Sequence, residues 1–203
     1  MSKWGIAVDG LPLSFDEVFG RGVDTVLDIG FGGGEALIEL AEMRPHERVI
    51  GVDVHTPGIA AVLEAVENRG LTNVRVVAGD VIEFADRIPS RSLASIRAFF
   101  PDPWPKQRQH GRRLIRPDVV QRMLPLLRFG GTLHLATDSD EYATQMLRVC
   151  DAEEALEGGV VERPSWRPST RFEQRGIDEG RRATELIYIA SESSPSESSS
   201  AFR

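Results

Sequence analysis

The sequence predicts an α/β fold, a mostly parallel twisted sheet with helices on both faces. Three observations carry this. Short apolar runs alternate along the chain with stretches whose apolar residues recur at helical period. One of those runs, Val49–Val54, is almost continuously apolar, as a parallel strand covered on both faces must be, and another, Thr25–Ile29, reads as an apolar strand. Thr25–Ile29 feeds directly into a glycine-rich turn, Gly30-Phe-Gly-Gly-Gly34, with a helical pattern immediately behind it.

The 203 residues suit one ordinary domain, spanning 1–190 with 1–23 as an N-terminal segment. In that segment Ser14-Phe-Asp-Glu17 has the spacing of a helical capping box. Behind the glycine turn, Glu35 to Arg44 sets Ala36, Leu37, Leu40 and Ala41 on one face, and Pro45 stops it. After the second strand, Pro57 to Arg69 turns Ile59, Val62, Leu63 and Val66 inward, with Gly70 as its C-terminal stop. Val74–Ala78 is a third strand. Leu93–Phe100 is a fourth, running into Pro101-Asp-Pro-Trp-Pro-Lys106.

Pro117 to Leu127 reads as a helix with proline near its start, ending at Gly130-Gly131. Thr132–Thr137 is the fifth strand, and a helix follows through Cys150. Asp138 either caps that helix or touches substrate, and both can hold. Val160 to Arg175 reads as irregular and arginine-rich, with a second capping box at Thr170-Arg-Phe-Glu173. Thr184–Ala190 is a last strand, expected antiparallel at or near the sheet edge. Residues 191–203 hold seven serines in thirteen positions and are expected to be disordered.

Composition narrows the function. Apolar (41%) and charged (27%) fractions are those of a soluble globular protein. With no apolar run of membrane-spanning length and no secretory h-region, a cytoplasmic protein without a membrane partner is expected. Cys150 is the only cysteine, which excludes an internal disulfide, and the four histidines show no metal-ligand spacing, so no metal is expected. A net charge of −7 opposes nucleic-acid binding in general. The local distribution reverses it: Lys106 to Arg116 carries five basic residues in eleven, a single-sign patch suited to phosphates, in which Lys106, Arg112 and Arg113 are the candidate holders.

The chemistry concentrates at strand ends. A strand, a glycine turn and a helix N-terminus together present backbone N–H groups and a positive dipole end to a nucleotide-like ligand. A dinucleotide fingerprint would need glycine at the sixth place from Gly30, where Glu35 stands, so that register fails. Asp53 closes the second strand 23 residues beyond Gly30, where an acid can accept both hydroxyls of a ribose. Asp80, at the third strand end, either accepts from an adenine amino group or opens the turn. Asp102 sits between two prolines that leave its backbone little freedom, a stiffly held carboxylate beside Trp104.

These residues resemble a known family, the tRNA (guanine-N7-)-methyltransferases of the bacterial TrmB type. The resemblance rests on Asp28-Ile-Gly-Phe-Gly-Gly-Gly34, Gly51-Val-Asp-Val-His-Thr-Pro-Gly58, Phe99-Phe-Pro-Asp-Pro-Trp-Pro-Lys106 with Arg112-Arg113, Ala136-Thr-Asp138 and Arg167-Pro-Ser-Thr-Arg-Phe-Glu-Gln-Arg-Gly176. It departs in a short N-terminal segment and in Arg181-Arg182, where the family often has Gly or His. The resemblance implies a Rossmann-like class I methyltransferase fold with a mostly parallel seven-stranded sheet. It implies S-adenosylmethionine held by Asp28, Gly30, Asp53, Asp80 and Asp102, and tRNA contacts from Lys106, Asp138, Thr170, Arg171, Phe172 and Glu173. The implied reaction is methyl transfer to N7 of a guanine in the tRNA variable loop, with Asp102 catalytic and no obligate protein partner. The rival readings are a methyltransferase for a small molecule or protein, a non-catalytic RNA-binding protein, and a nicotinamide dehydrogenase, the last weakened by Glu35.

Overall fold

In the computed structural model, which describes residues 3–21 and 24–192, eight strands form one sheet in the order β1-β4-β3-β2-β5-β6-β8-β7. The strands are β1 (Gly5–Ile6), β2 (Asp24–Ile29), β3 (Glu47–Asp53), β4 (Val74–Ala78), β5 (Leu93–Phe99), β6 (Leu127–Thr137), β7 (Leu156–Val161) and β8 (Thr184–Ala190). All pairings from β1 through β6 are parallel, and β8 joins β6 and β7 antiparallel. The helices are α1 (Phe15–Phe19), α2 (Glu35–Met43), α3 (Thr56–Arg69), α4 (Val81–Phe84), α5 (Pro117–Met123), α6 (Asp140–Asp151) and α7 (Arg171–Asp178).

The runs Thr25–Ile29 and Val49–Val54 fall in the central strands β2 and β3, buried almost throughout because helices cover both faces. On one face Val49, Val74 and Val76 pack with Leu37, Ile38 and Ala41 of α2 and with Ile59, Val62 and Val66 of α3. On the other, Leu27, Ile50, Val77 and Ile96 join Phe84, Tyr142 and Met146. Because the chain runs β2, β3, β4 outward in one direction and then returns to β5 on the far side of β2, strand order reverses between β2 and β5. Ligands of open α/β sheets bind in the crevice at the carboxyl ends of such strands.

Four expectations need correction. The sheet has eight strands where seven were expected; β1 is only two residues long, and Gly158-Gly159 dilutes the alternating pattern of β7. The stretch from Val160 is therefore not irregular at its start, since β7 extends to Val161. The helix expected to reach Leu127 stops at Met123, because Pro125 cannot donate to a helical ladder; a 3-10 turn spans Leu124–Leu126 and β6 already begins at Leu127, running through Gly130-Gly131. The cap of α6 is Ser139, whose Oγ accepts from the Tyr142 N–H at 3.3 Å, and not Asp138. Ser14 and Thr170 do cap α1 and α7, their side-chain oxygens accepting from the Glu17 and Glu173 N–H groups, and β8 is antiparallel beside the edge strand. The serine-rich tail expectation concerns 191–203, of which 193–203 lie outside the described residues.

One close approach ties the helix layer to the glycine turn. A Cβ built on Gly58, in the first turn of α3, would lie 1.8 Å from the Gly32 carbonyl oxygen. No side chain fits there without moving the turn. Gly58→Ala should therefore lower stability by about 1–3 kcal/mol, the usual cost of overpacking, read as a fall in thermal midpoint, and should weaken nucleotide-like ligands in a titration.

Candidate functional site

A cavity of about 800 Å³ opens where the topology predicts, at the carboxyl ends of β2, β3, β4 and β5. That volume is within the usual range of about 300–1,000 Å³ for cofactor and small-molecule pockets. Gly30, Asp53, Asp80 and Asp102 all line it, four of the five residues expected to hold the cofactor. Thr170 and Phe172 line it as well, brought across by the segment that precedes β8.

The glycine turn is locked from two sides. Gly30 and Gly32 have φ of +69° and +56°, a region in which a side chain is strained, and their Cβ positions face open space. Asp53 Oδ2 accepts from the Gly32 N–H at 2.7 Å and Oδ1 accepts from the His55 N–H at 2.8 Å. The acid that closes β3 thus holds the turn after β2 in shape, and its remaining lone pairs border the cavity. Asp80 opens the turn into α4, which it caps by accepting from the Ile82 N–H at 2.7 Å, and it also lines the cavity.

Asp28 lies elsewhere. It is 4% exposed, outside the cavity wall, paired in register with Gly51 of β3 and Arg97 of β5. Next to last in β2, its side chain packs within the sheet layer beside Arg97, and its expected part in holding the cofactor rests on the resemblance. Burial raises its carboxyl to about 6, with Arg97 opposing the shift and Asp53 adding to it.

The Pro101–Lys106 loop carries strain. Phe100 and Trp104 have φ of +54° and +41°, each costing on the order of 1–3 kcal/mol for a bulky residue. The surrounding structure enforces both. Phe100 N–H donates to the Ala136 carbonyl at 2.7 Å. Arg113, 0% exposed, donates from Nε to the Pro103 carbonyl at 2.7 Å and from Nη2 to the Trp104 carbonyl at 3.5 Å. Its other hydrogen bonds go to Glu141 at 2.6 and 3.0 Å and to Gln145 at 2.5 Å. This guanidinium also holds the Glu141 carboxyl below the usual range.

Arg113 is therefore a clamp on the loop and unavailable to a phosphate, which corrects its place in the basic patch. Arg112 does line the cavity, with its guanidinium 5.0 Å from the Trp104 ring centroid. Lys106 is exposed at the start of the 3-10 turn Gln107–Arg112 and outside the cavity wall.

The remaining expected substrate contacts divide. Phe172 is 61% exposed and faces the cavity. Glu173, by contrast, is 4% exposed and bonded by Arg167 at 2.6 and 2.9 Å, so it is an internal anchor and not a surface that meets substrate. Asp138 accepts from Arg181 Nε at 2.7 Å, outside the cavity wall. Arg171 begins α7, and its side chain lies outside the described residues. Sequence reading missed Phe31 and His55 in the cavity wall; their position inside or beside the glycine and Asp53 motifs was the available signal.

Among the described residues there is no group of three or more His, Cys, Asp or Glu that could hold a metal, and no helix long and apolar enough to cross a membrane.

Comparison with known proteins places these features in context. A family model described as "Putative methyltransferase" matches residues 23–186. A protein of Streptomyces avermitilis is 44% identical over 192 residues, covering 92% of this chain, which spans 66% of that relative's length. Relatives from Aeromonas hydrophila (44% over 183 residues, 87% of this chain and 77% of the relative) and Marinobacter nauticus (45% over 195, 92% and 81%) are similarly close. All three are named tRNA (guanine-N(7)-)-methyltransferase.

Among solved structures, the antibiotic-resistance methyltransferase Kmr superposes with a TM-score of 0.62 at 19% identity, covering 89% of this chain and 92% of that one. SMU.1697c of Streptococcus mutans, solved in complex with SAH, gives 0.58 at 11% identity, covering 84% and 90%. At such identities these two speak for the fold alone, a class I methyltransferase sheet.

The raised Asp28 group has a consequence for stability. A carboxyl with a folded value near 6 and an ordinary value of 3.8 binds more protons folded than unfolded between those limits. Its contribution is thus present at acid pH and lost as pH rises through about 6. Relative to Asp28→Asn, the parent protein should lose about 2 kcal/mol between pH 4 and pH 7. Paired denaturant titrations across that range measure the difference.

Proposed function

This chain belongs to the tRNA (guanine-N(7)-)-methyltransferase family, and from that premise we propose that it transfers a methyl group from S-adenosylmethionine to N7 of a guanine in tRNA. The observation that carries the reading is the single cavity in which Gly30, Asp53 and Asp80 meet Asp102, Trp104 and Phe172. The first three suit a nucleoside: an open glycine turn, a carboxylate for ribose hydroxyls, and a second acid at the next strand end. The last three suit a planar base, with two aromatic rings and an acceptor. The chemistry supplied by S-adenosylmethionine when bound is an electrophilic sulfonium methyl group.

The N7 lone pair of neutral guanine is already free, so no proton need leave before attack and no general base is required. What the chain must supply is alignment and charge complementarity. Asp102, fixed by flanking prolines and by the Arg113 clamp on Pro103 and Trp104, is the candidate catalytic residue. Its carboxylate can accept from the guanine N1–H and amino group and offset the positive charge that develops on the purine. Arg112 at the cavity and Lys106 beside it would meet phosphates, which reconciles an acidic chain with an acidic substrate. The variable loop is the proposed location of the target guanine, no obligate protein partner is proposed, and the cytoplasm is the proposed compartment.

Incubation with labelled S-adenosylmethionine and unmodified total tRNA, followed by base analysis, should yield 7-methylguanosine; label in another base or none would refute the reading. Asp102→Ala should stay folded and lose methyl transfer by tenfold or more, since one charge-assisted hydrogen bond amounts to about 1.5–3 kcal/mol and lost alignment adds to it. Arg112→Ala should weaken tRNA binding and reduce the slope of log K against log salt by about 1. An unchanged slope would remove that residue from the interface.

A further inference from the structure

The attachment of α7 differs from that of the other helices. A helix docked on a sheet ordinarily buries an apolar stripe. Among the described side chains of α7, the large apolar ones, Phe172 and Ile177, are both exposed, and the buried positions are Glu173 and Gly176. What holds the helix is polar. Thr170 Oγ1 accepts from the Glu173 N–H at 3.0 Å. Both Nη atoms of Arg167, 1% exposed, donate to the two carboxylate oxygens of Glu173, and Arg163 Nε approaches the same carboxylate at 3.2 Å.

The network continues into the sheet. Arg167 Nε pairs with Glu185 of β8. The other Glu185 oxygen meets His134 Nε2 of β6 at 2.6 Å. The Arg167 guanidinium also lies over the Phe99 and Phe100 rings, at 5.4 and 5.6 Å from their centroids. One continuous chain of polar contacts therefore runs from β6 through β8 to α7. Buried ion pairs contribute little stability relative to apolar packing of the same volume. A two-pronged guanidinium–carboxylate pair does, however, fix direction as well as distance.

We propose that Glu173 is a positioning residue: through its fork with Arg167 it orients α7 so that Thr170 and Phe172 form a wall of the cavity containing Asp102, and so governs capture of the nucleic-acid substrate. This rests on the function proposed above and deepens it. The effect falls on the base and not on the cofactor, because Gly30, Asp53 and Asp80 come from the ends of β2, β3 and β4 and reach the cavity without α7.

Glu173→Gln preserves shape but turns one oxygen facing Arg167 into a donor. In that variant kcat/KM for tRNA should fall by about tenfold or more, mainly through KM. Affinity for S-adenosylhomocysteine, measured by calorimetry, should stay within about twofold of the parent, and hydrogen exchange should accelerate in the α7 amides while β2 and β3 remain protected. Parental tRNA kinetics would overturn the proposal. So would an equal loss of S-adenosylhomocysteine affinity and of sheet protection, since the pair would then be a general stabiliser. Should Glu173→Gln be insoluble, Arg163→Gln loosens the same carboxylate from its exposed side and is read in the same way at smaller amplitude. Failure of the parent to methylate tRNA would instead strike the underlying function, and it is seen before any variant is made.

Discussion

The bond from the Gly32 N–H to Asp53 Oδ2 is the contact on which the cavity depends. It joins the turn after β2 to the last residue of β3, so two neighbouring strand ends become one rigid rim. Gly58 presses on the same turn from α3, close enough that only a hydrogen fits. Between them the backbone of the turn is fixed in shape before any ligand arrives, which lowers the ordering cost of binding. The positive φ values at Gly30 and Gly32 are the local condition for this shape.

Across the crevice the same task is done with side-chain charge in place of glycine. The loop after β5 contains two residues in the left-handed region, and left to itself it would relax. Arg113 prevents that by bonding the Pro103 and Trp104 carbonyls while its far side is held by Glu141 and Gln145 of α6. Helix α6 itself is seated by Tyr142, whose hydroxyl accepts from the Ile115 N–H at 3.0 Å. The stiffness of Asp102 thus has two sources, the prolines on either side and a buried cation behind.

The sheet face under β5, β6 and β8 is polar where an apolar core would be ordinary. Arg97 lies buried there beside Asp28, donates to Glu47 at 3.1 Å, and sits 5.5 Å from the Trp166 ring centroid; His134, Glu185 and Arg167 continue the layer. Such a layer is costly in desolvation and sensitive to pH, as the raised Asp28 carboxyl illustrates. It also discriminates among arrangements more sharply than interchangeable methyl groups would, which suits a segment that must return chain from residue 161 to the cavity before β8 begins.

The sequence by itself determined the strand–turn–helix order, the parallel core of the sheet and the gathering of Gly30, Asp53, Asp80 and Asp102 at one edge. Those features follow from local periodicity and from the topological rule that loops after parallel strands share an edge. It did not reveal the ends of α5 and β6, where Pro125 overrode the helical pattern, or the short and glycine-diluted edge strands β1 and β7. Only the tertiary structure decided which charged side chains face outward. Arg112 and Arg113 are adjacent and chemically identical, yet one borders the cavity and the other is entombed against Glu141, 28 residues away. Glu173 and Asp28 likewise turned inward to Arg167 and beside Arg97. A charge is drawn inside by partners distant along the chain, and no local pattern records that pairing.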